Sequence, residues 1–304
     1  MTSIKYRVQL LTLRLTMQKH FASPESLHRQ IAVARRNRDF DPPRHVRENF
    51  SMVEHEWHGH PVFEMAPLGR RPNLHILYLH GGANVFELGP MHWNFLAALA
   101  RRKDARIIVP VYPLAPEHNW HDVHAILKPL YAKVARQAGD GTLVLMGDSS
   151  GGGLAASLAL ELAEDGQRPA DQLLLLSPWL DASLSNHSIA EFAADDPWLG
   201  IEAMREAARL YAGSDDLKDH RISPIYGNLE ALPPTQIYIG THDILYPDCV
   251  SFAEIAYACG ATIDLIYEPE MFHVWMMFDM PEARRTLDEM AAGLPTRPAV
   301  AFAG

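Results

Sequence analysis

The chain has 304 residues, 48% of them hydrophobic and 21% charged, with a formal net charge of −10. That composition buries a large core as one sizeable domain or two small ones, and it argues against disorder. The acidic balance argues against nucleic acid as a partner, since the densest basic run, Arg35 to Arg38, is short and followed by acidic residues.

In chain order, the opening "MTSIKYRVQLLTLRLTMQKH" reads as an amphipathic helix rather than a secretion signal, because Arg14 interrupts the apolar stretch and no small-residue cleavage site follows. No segment approaches the roughly 18 uninterrupted apolar residues of a membrane span. "FSMVEHEWHGHPVFEMAP" (50–67) alternates like a hairpin that begins a sheet in antiparallel sense. Short apolar runs follow as buried strands over 74–80, 106–112, 142–147, 172–177, 235–240 and 261–267. Helical patterns lie between them over 91–103, 122–137, 153–164 and 248–260, the last closed by Gly260. Strands alternating with helices imply an α/β fold with a mostly parallel sheet covered on both faces.

Two segments break the alternation. Residues 1–45 and the acidic, Pro- and Trp-containing stretch 182–225 are expected to form one helical cap over a catalytic core made of 46–181 and 226–304. The two cysteines, Cys249 and Cys259, fall on one predicted helix, too many turns apart for a disulfide, which points to the cytoplasm. The 16 histidines show neither H-E-x-x-H nor Cys/His ligand spacing, so a catalytic metal is not expected.

The chemistry concentrates at Gly147-Asp148-Ser149-Ser150-Gly151, a G-x-S-x-G pattern placed between a strand and a helix. A serine on so sharp a turn needs small residues two positions to either side, where the glycines sit, and the helix that follows aims its N-terminus at developing negative charge. "GDSSGG" also resembles the trypsin-like "GDSGG", but those proteins are all-β, whereas here a long helix follows. A serine nucleophile needs a base and an orienting acid, and the order Ser, Asp, His is met by Asp243 and His273, each just past a predicted strand. Asp248 is the alternative acid and reads otherwise as a helix cap. His242 lies beside the acid and is badly placed to reach the serine. "HGGA" (80–83) breaks a strand into Gly81, Gly82 and Ala83, a loop whose backbone can approach a developing oxyanion.

Together "HGGA", "YPLAPEH" (112–118), "GDSSGGG", "SPWLD" (177–181), "DPWL" (196–199), "THDILYPD" and "MFHVW" resemble, over roughly residues 70–280, the bacterial branch of the hormone-sensitive-lipase-like α/β-hydrolases. The resemblance implies an α/β-hydrolase fold with a helical cap that hydrolyses carboxylic esters through an acyl-enzyme, without metal or cofactor; a preference for short- to medium-chain esters is expected from the candidate pocket residues named below. It implies Ser149 as nucleophile, His273 as base and Asp243 as acid. The backbone N–H groups of Gly82, Ala83 and Ser150 would form the oxyanion hole, with Gly81 shaping the loop and His80 and "APEH" supporting it. Ala83 and Ser150 depart from the commonest forms, HGGG and GDSAGG, and bear on pocket width. Phe86, Trp179, Trp198, Phe272 and Trp275 lie near these motifs and are candidate walls of an apolar pocket. A lactonase, deacetylase or small amidase on the same fold is the alternative reading, with a non-catalytic small-molecule binder behind it. Edge-strand pairing in similar proteins suggests a homodimer.

Overall fold

Eight strands form one sheet in the order β1-β2-β4-β3-β5-β6-β7-β8 in the computed structural model, which describes residues 2–295. Three helices precede it: α1 (Ile4–Thr16), α2 (Pro24–Arg36) and α3 (Arg44–Asn49). The antiparallel hairpin β1 (Phe50–Trp57) and β2 (His60–Pro67) joins the sheet through an antiparallel pairing with β4. From there the strands run parallel: β3 (Leu74–Leu79), then α4 (Pro90–Arg102), β4 (Ala105–Pro110), α5 (Trp120–Ala138), β5 (Thr142–Asp148), α6 (Ser149–Glu164) and β6 (Gln172–Leu176). The insertion contributes α7 (Ile189–Phe192) and α8 (Ile201–Ala212). The chain then returns through β7 (Thr235–His242), α9 (Tyr246–Ala258), β8 (Ile263–Phe272) and α10 (Pro281–Gly293).

Every residue of β3, β5 and β6 is buried. This is why these strands read as continuous apolar runs: helices cover both faces of a parallel sheet. Core residues of α5, α6 and α9 form one buried cluster with the sheet, and those of α4 and α10 form the other. The inserted α8 turns Ala203, Met204, Ala207, Ala208 and Tyr211 inward and packs on α2, and His28 Nε2 meets Glu206 Oε1 at 2.9 Å across that contact.

Several element boundaries differ from the sequence expectation, and two of them bear on the site. β8 continues to Phe272, through Pro269, because an edge strand has no partner on one side for the missing N–H. α9 begins at Tyr246 with Pro247 in its first turn, so Asp248 sits inside the helix rather than capping it, and Gly260 follows the cap residue Cys259 with φ +89°. No helix among the described residues is long and apolar enough to cross a membrane.

Candidate active site

The parallel strands end on one edge of the sheet, and the loops leaving β3, β5, β7 and β8 converge there, as ligand sites of open α/β sheets do. Ser149 is the first residue of α6 and holds φ +53°, a left-handed conformation that costs a non-glycine residue about 1–3 kcal/mol. The flanking glycines make the turn possible. A Cβ on Gly147 would stand 2.2 Å from the Gly151 carbonyl oxygen, and one on Gly151 would stand 2.2 Å from that of Leu79.

The structure brings Ser149, His273 and Asp243 into one hydrogen-bonded chain. His273 Nδ1 lies 2.7 Å from Asp243 Oδ2, and Nε2 lies 2.9 Å from Ser149 Oγ. With Nδ1–H donating to the carboxylate, Nε2 is left to accept from the serine hydroxyl. All three side chains are buried. Asp243 Oδ1 accepts from Leu245 N at 2.9 Å, and the β7–β8 register shifts between Gly240 and His242, immediately before the acid, an irregularity of the kind that re-aims a strand end. Val274 N donates to Ser177 Oγ at 3.0 Å and pins the residue after the base. Asp248 lies elsewhere: its Oδ1 accepts from Asn186 Nδ2 at 3.0 Å, and burial pushes its carboxyl up to about 7.

A third carboxylate stands behind the chain. Asp196 Oδ1 accepts from the N–H groups of Trp198 and Leu199, both at 2.8 Å, and its Oδ2 accepts from Ile244 N at 3.0 Å. It thereby ties the insertion to the loop that carries Asp243. Burial first, then the Asp243 charge, push Asp196 up to about 7. Burial alone would lower His273, but Asp243 beside Nδ1, helped by Asp196 and Asp148, outweighs it and holds the imidazole above its ordinary value.

Beside Ser149, the β3 loop turns through positive φ at Gly82, Ala83 and Asn84. Among the described residues no protein acceptor takes the N–H of Gly82 or Ala83, and Ser150, in the first turn of α6, has no intrahelical partner for its own. Gly81 differs from these: its N–H donates to Asp148 Oδ1 at 2.8 Å, so it fixes the loop to the serine turn and has no free donor to offer. The hydroxyl of Ser150 accepts from Asn84 N at 3.1 Å, a second tie between loop and turn. His80 stacks on Tyr112 with ring centroids 4.3 Å apart, and Ala115 N donates to Asn84 O at 2.9 Å, so the "YPLAPEH" segment braces the same loop. Burial, then His92, lower His80 to about 4 and keep its ring neutral.

A cavity of about 330 Å³ opens over Ser149 and His273, with Phe86 and Trp198 in its wall. The Trp198 ring stands edge-on to His273, centroids 5.7 Å apart. Three other aromatic residues expected there are not. Trp179 is buried with Nε1 on Asp181 O, Phe272 packs between Tyr6 and Phe278, and Trp275 is buried with Nε1 toward Thr286 of α10. Each lies at or just past a strand end, but its side chain points into the core rather than across the sheet edge. In their place the wall holds Met17, Phe21, Val33 and Ala34 from the N-terminal helices and Met204 from α8. The amphipathic pattern of the opening residues marks a helix, but it does not say which cavity that helix borders. Among the described residues, no group of three His, Cys, Asp or Glu side chains is placed to hold a metal ion.

Compared with known proteins, residues 76–277 match the alpha/beta hydrolase fold family. An esterase of Acinetobacter venetianus is 32% identical over 71% of this chain and 73% of its own length. An acetyl-hydrolase of Streptomyces hygroscopicus is 28% identical over 78% of this chain and 81% of its own. Among solved structures, a hormone-sensitive lipase from a metagenome library superposes with a TM-score of 0.82 at 28% identity, covering 96% of this chain and 98% of the other.

Proposed function

Because this chain belongs to the alpha/beta hydrolase fold family, in its bacterial hormone-sensitive-lipase-like branch, and is a serine hydrolase of small carboxylic esters, we propose how its residues divide that work. Ser149 is the nucleophile, His273 the general base and then acid, and Asp243 the group that fixes the imidazole tautomer and stabilises the imidazolium. As the hydroxyl attacks the ester carbonyl, its proton passes to His273 Nε2, and the N–H groups of Gly82, Ala83 and Ser150 stabilise the tetrahedral O⁻. The alcohol leaves with the proton held by His273. Water, deprotonated by the same ring, then releases the acid from the acyl-enzyme. The observation that carries this reading is the unbroken Asp243–His273–Ser149 chain beside a loop with unclaimed N–H donors.

Activity requires unprotonated His273. Since its pKa is raised, kcat/KM is expected to fall on the acid side, with its midpoint above the ~6.5 of a free imidazole. A profile flat from about pH 5 to 9 contradicts a histidine base.

We also assign residues 1–45 and 182–225 to one cap over the core formed by 46–181 and 226–304, supported by the α2–α8 packing. The cavity's size and its Met17, Phe21 and Phe86 walls favour short to medium acyl chains. In a series of p-nitrophenyl esters, butyrate and hexanoate are expected to be cleaved at least roughly tenfold faster than dodecanoate. The reverse order would remove the size argument. The free cysteines, one buried and one exposed, support cytoplasmic residence, and the edge strand β8 supports a homodimer.

A further inference from the structure

Helix α1 is apolar on two sides, and among the described residues only one of them is covered. Tyr6 and Leu13 are buried against the body of the protein, whereas Ile4, Val8, Leu11 and Leu15 are exposed by 81%, 60%, 58% and 67%. Their spacing of four, three and four residues places them in a single stripe along the helix. A helix lying on a protein in water is expected to turn polar residues to that side.

The stripe is held outward by the fold. Ser3 caps α1 and is itself fixed by Glu282, whose Oε1 accepts from Ser3 N at 2.6 Å and whose Oε2 accepts from Ser3 Oγ at 2.9 Å. The Tyr6 hydroxyl donates to the Glu270 carbonyl, and its ring stacks on Phe272, centroids 5.7 Å apart. With the inner face so anchored, the opposite face cannot roll inward.

Charge decides what covers it. At 100° per residue, Lys5 falls on one shoulder of the stripe, and Arg7 and Arg14 fall on the other. The protein carries −10 overall, yet its first 24 residues contain Lys5, Arg7, Arg14 and Lys19 and no acidic residue. Lys5 pairs with Asp279 at 2.8 Å, while among the described residues Arg7 and Arg14 have no carboxylate partner. A second copy of the chain would set these cations against one another. A surface that is apolar below and anionic above accepts both features, with the leucines in the acyl region and the guanidinium groups at the headgroups.

We propose that α1 docks the protein on the surface of a lipid bilayer containing anionic headgroups, lying in the interface without crossing it. The same helix leads into the cavity wall, since Met17 at its C-terminal end and Phe21 beyond it border the space over Ser149. Docking therefore sets the cavity beside the lipid phase, where apolar esters concentrate.

Flotation of the full-length protein with vesicles tests this, because it needs no catalysis and is independent of the esterase reading. The protein is expected to float with vesicles of phosphatidylcholine and phosphatidylglycerol in equal parts. It should float at least about tenfold less with phosphatidylcholine alone, and less again as salt is raised. Leu11→Asp/Leu15→Asp, at exposed positions outside the site, should lose at least about tenfold of the binding while hydrolysing soluble p-nitrophenyl butyrate at the wild-type rate. Arg7→Glu/Arg14→Glu should lose the preference for anionic vesicles. The proposal is overturned if wild-type protein floats with neither vesicle, or if the leucine variant floats as well as wild type. It is overturned equally if the stripe holds a dimer in solution that the leucine variant breaks.

Discussion

Ser149→Ala is expected to lower kcat toward p-nitrophenyl butyrate by on the order of 10⁵ to 10⁶, the cost of losing the nucleophile from a triad that acts as a unit. What remains is the smaller acceleration that substrate binding and the oxyanion donors supply without covalent chemistry. The fold should survive. Alanine meets the same left-handed strain at φ +53° that serine does, Gly147 and Gly151 still give the turn its clearance, and the lost hydrogen bond to His273 is worth about 1 kcal/mol. Thermal unfolding of the variant within a few degrees of wild type, together with loss of turnover, separates a chemical role from a structural one. Activity within tenfold of wild type would place the nucleophile elsewhere.

Asp243→Asn is expected to cost on the order of 10⁴ in kcat. The amide is nearly isosteric, and its oxygen can still accept from Leu245 N. Its NH₂, however, faces His273 Nδ1 and forces the tautomer that carries its proton on Nε2. That tautomer donates to Ser149 Oγ and cannot take a proton from it. Asp196 does not substitute, because the N–H groups of Trp198, Leu199 and Ile244 already occupy its oxygens. The loss should narrow at high pH, where hydroxide relieves the need for a base. If Asp243→Asn keeps activity within tenfold of wild type at pH 7 to 8, His273 does not depend on this carboxylate.

The sheet was legible in the sequence because burial on both faces writes itself as apolar runs such as "ILYL" (76–79) and "LLLL" (173–176). The serine turn was legible because its clearances admit only glycine at 147 and 151. The cavity wall was not. Trp179, Phe272 and Trp275 sit beside site motifs in sequence, yet a residue next to a strand end points into the core or over the sheet edge according to backbone turns that composition does not encode. The wall comes instead from Met17 and Phe21, more than a hundred residues before Ser149, and proximity of that kind exists only once α2 has packed on α8. The role of Asp196 is hidden in the sequence for a similar reason. "DPWL" reads as a motif, but its hydrogen bond to Ile244 N links segments nearly fifty residues apart. The hydroxyl of Ser150, a departure with no visible role in the sequence, proves to accept from Asn84 N and to brace the oxyanion loop.

Ser149 itself is expected to become acylated in each turnover. Treatment of the wild-type protein with a serine-directed fluorophosphonate, followed by mass spectrometry of the intact chain and its peptides, tests this directly. One adduct per chain is expected, on the peptide containing Ser149, formed in step with loss of esterase activity and absent from Ser149→Ala. An adduct on Ser150 or on any other serine, or inactivation that proceeds equally in Ser149→Ala, would contradict the assignment.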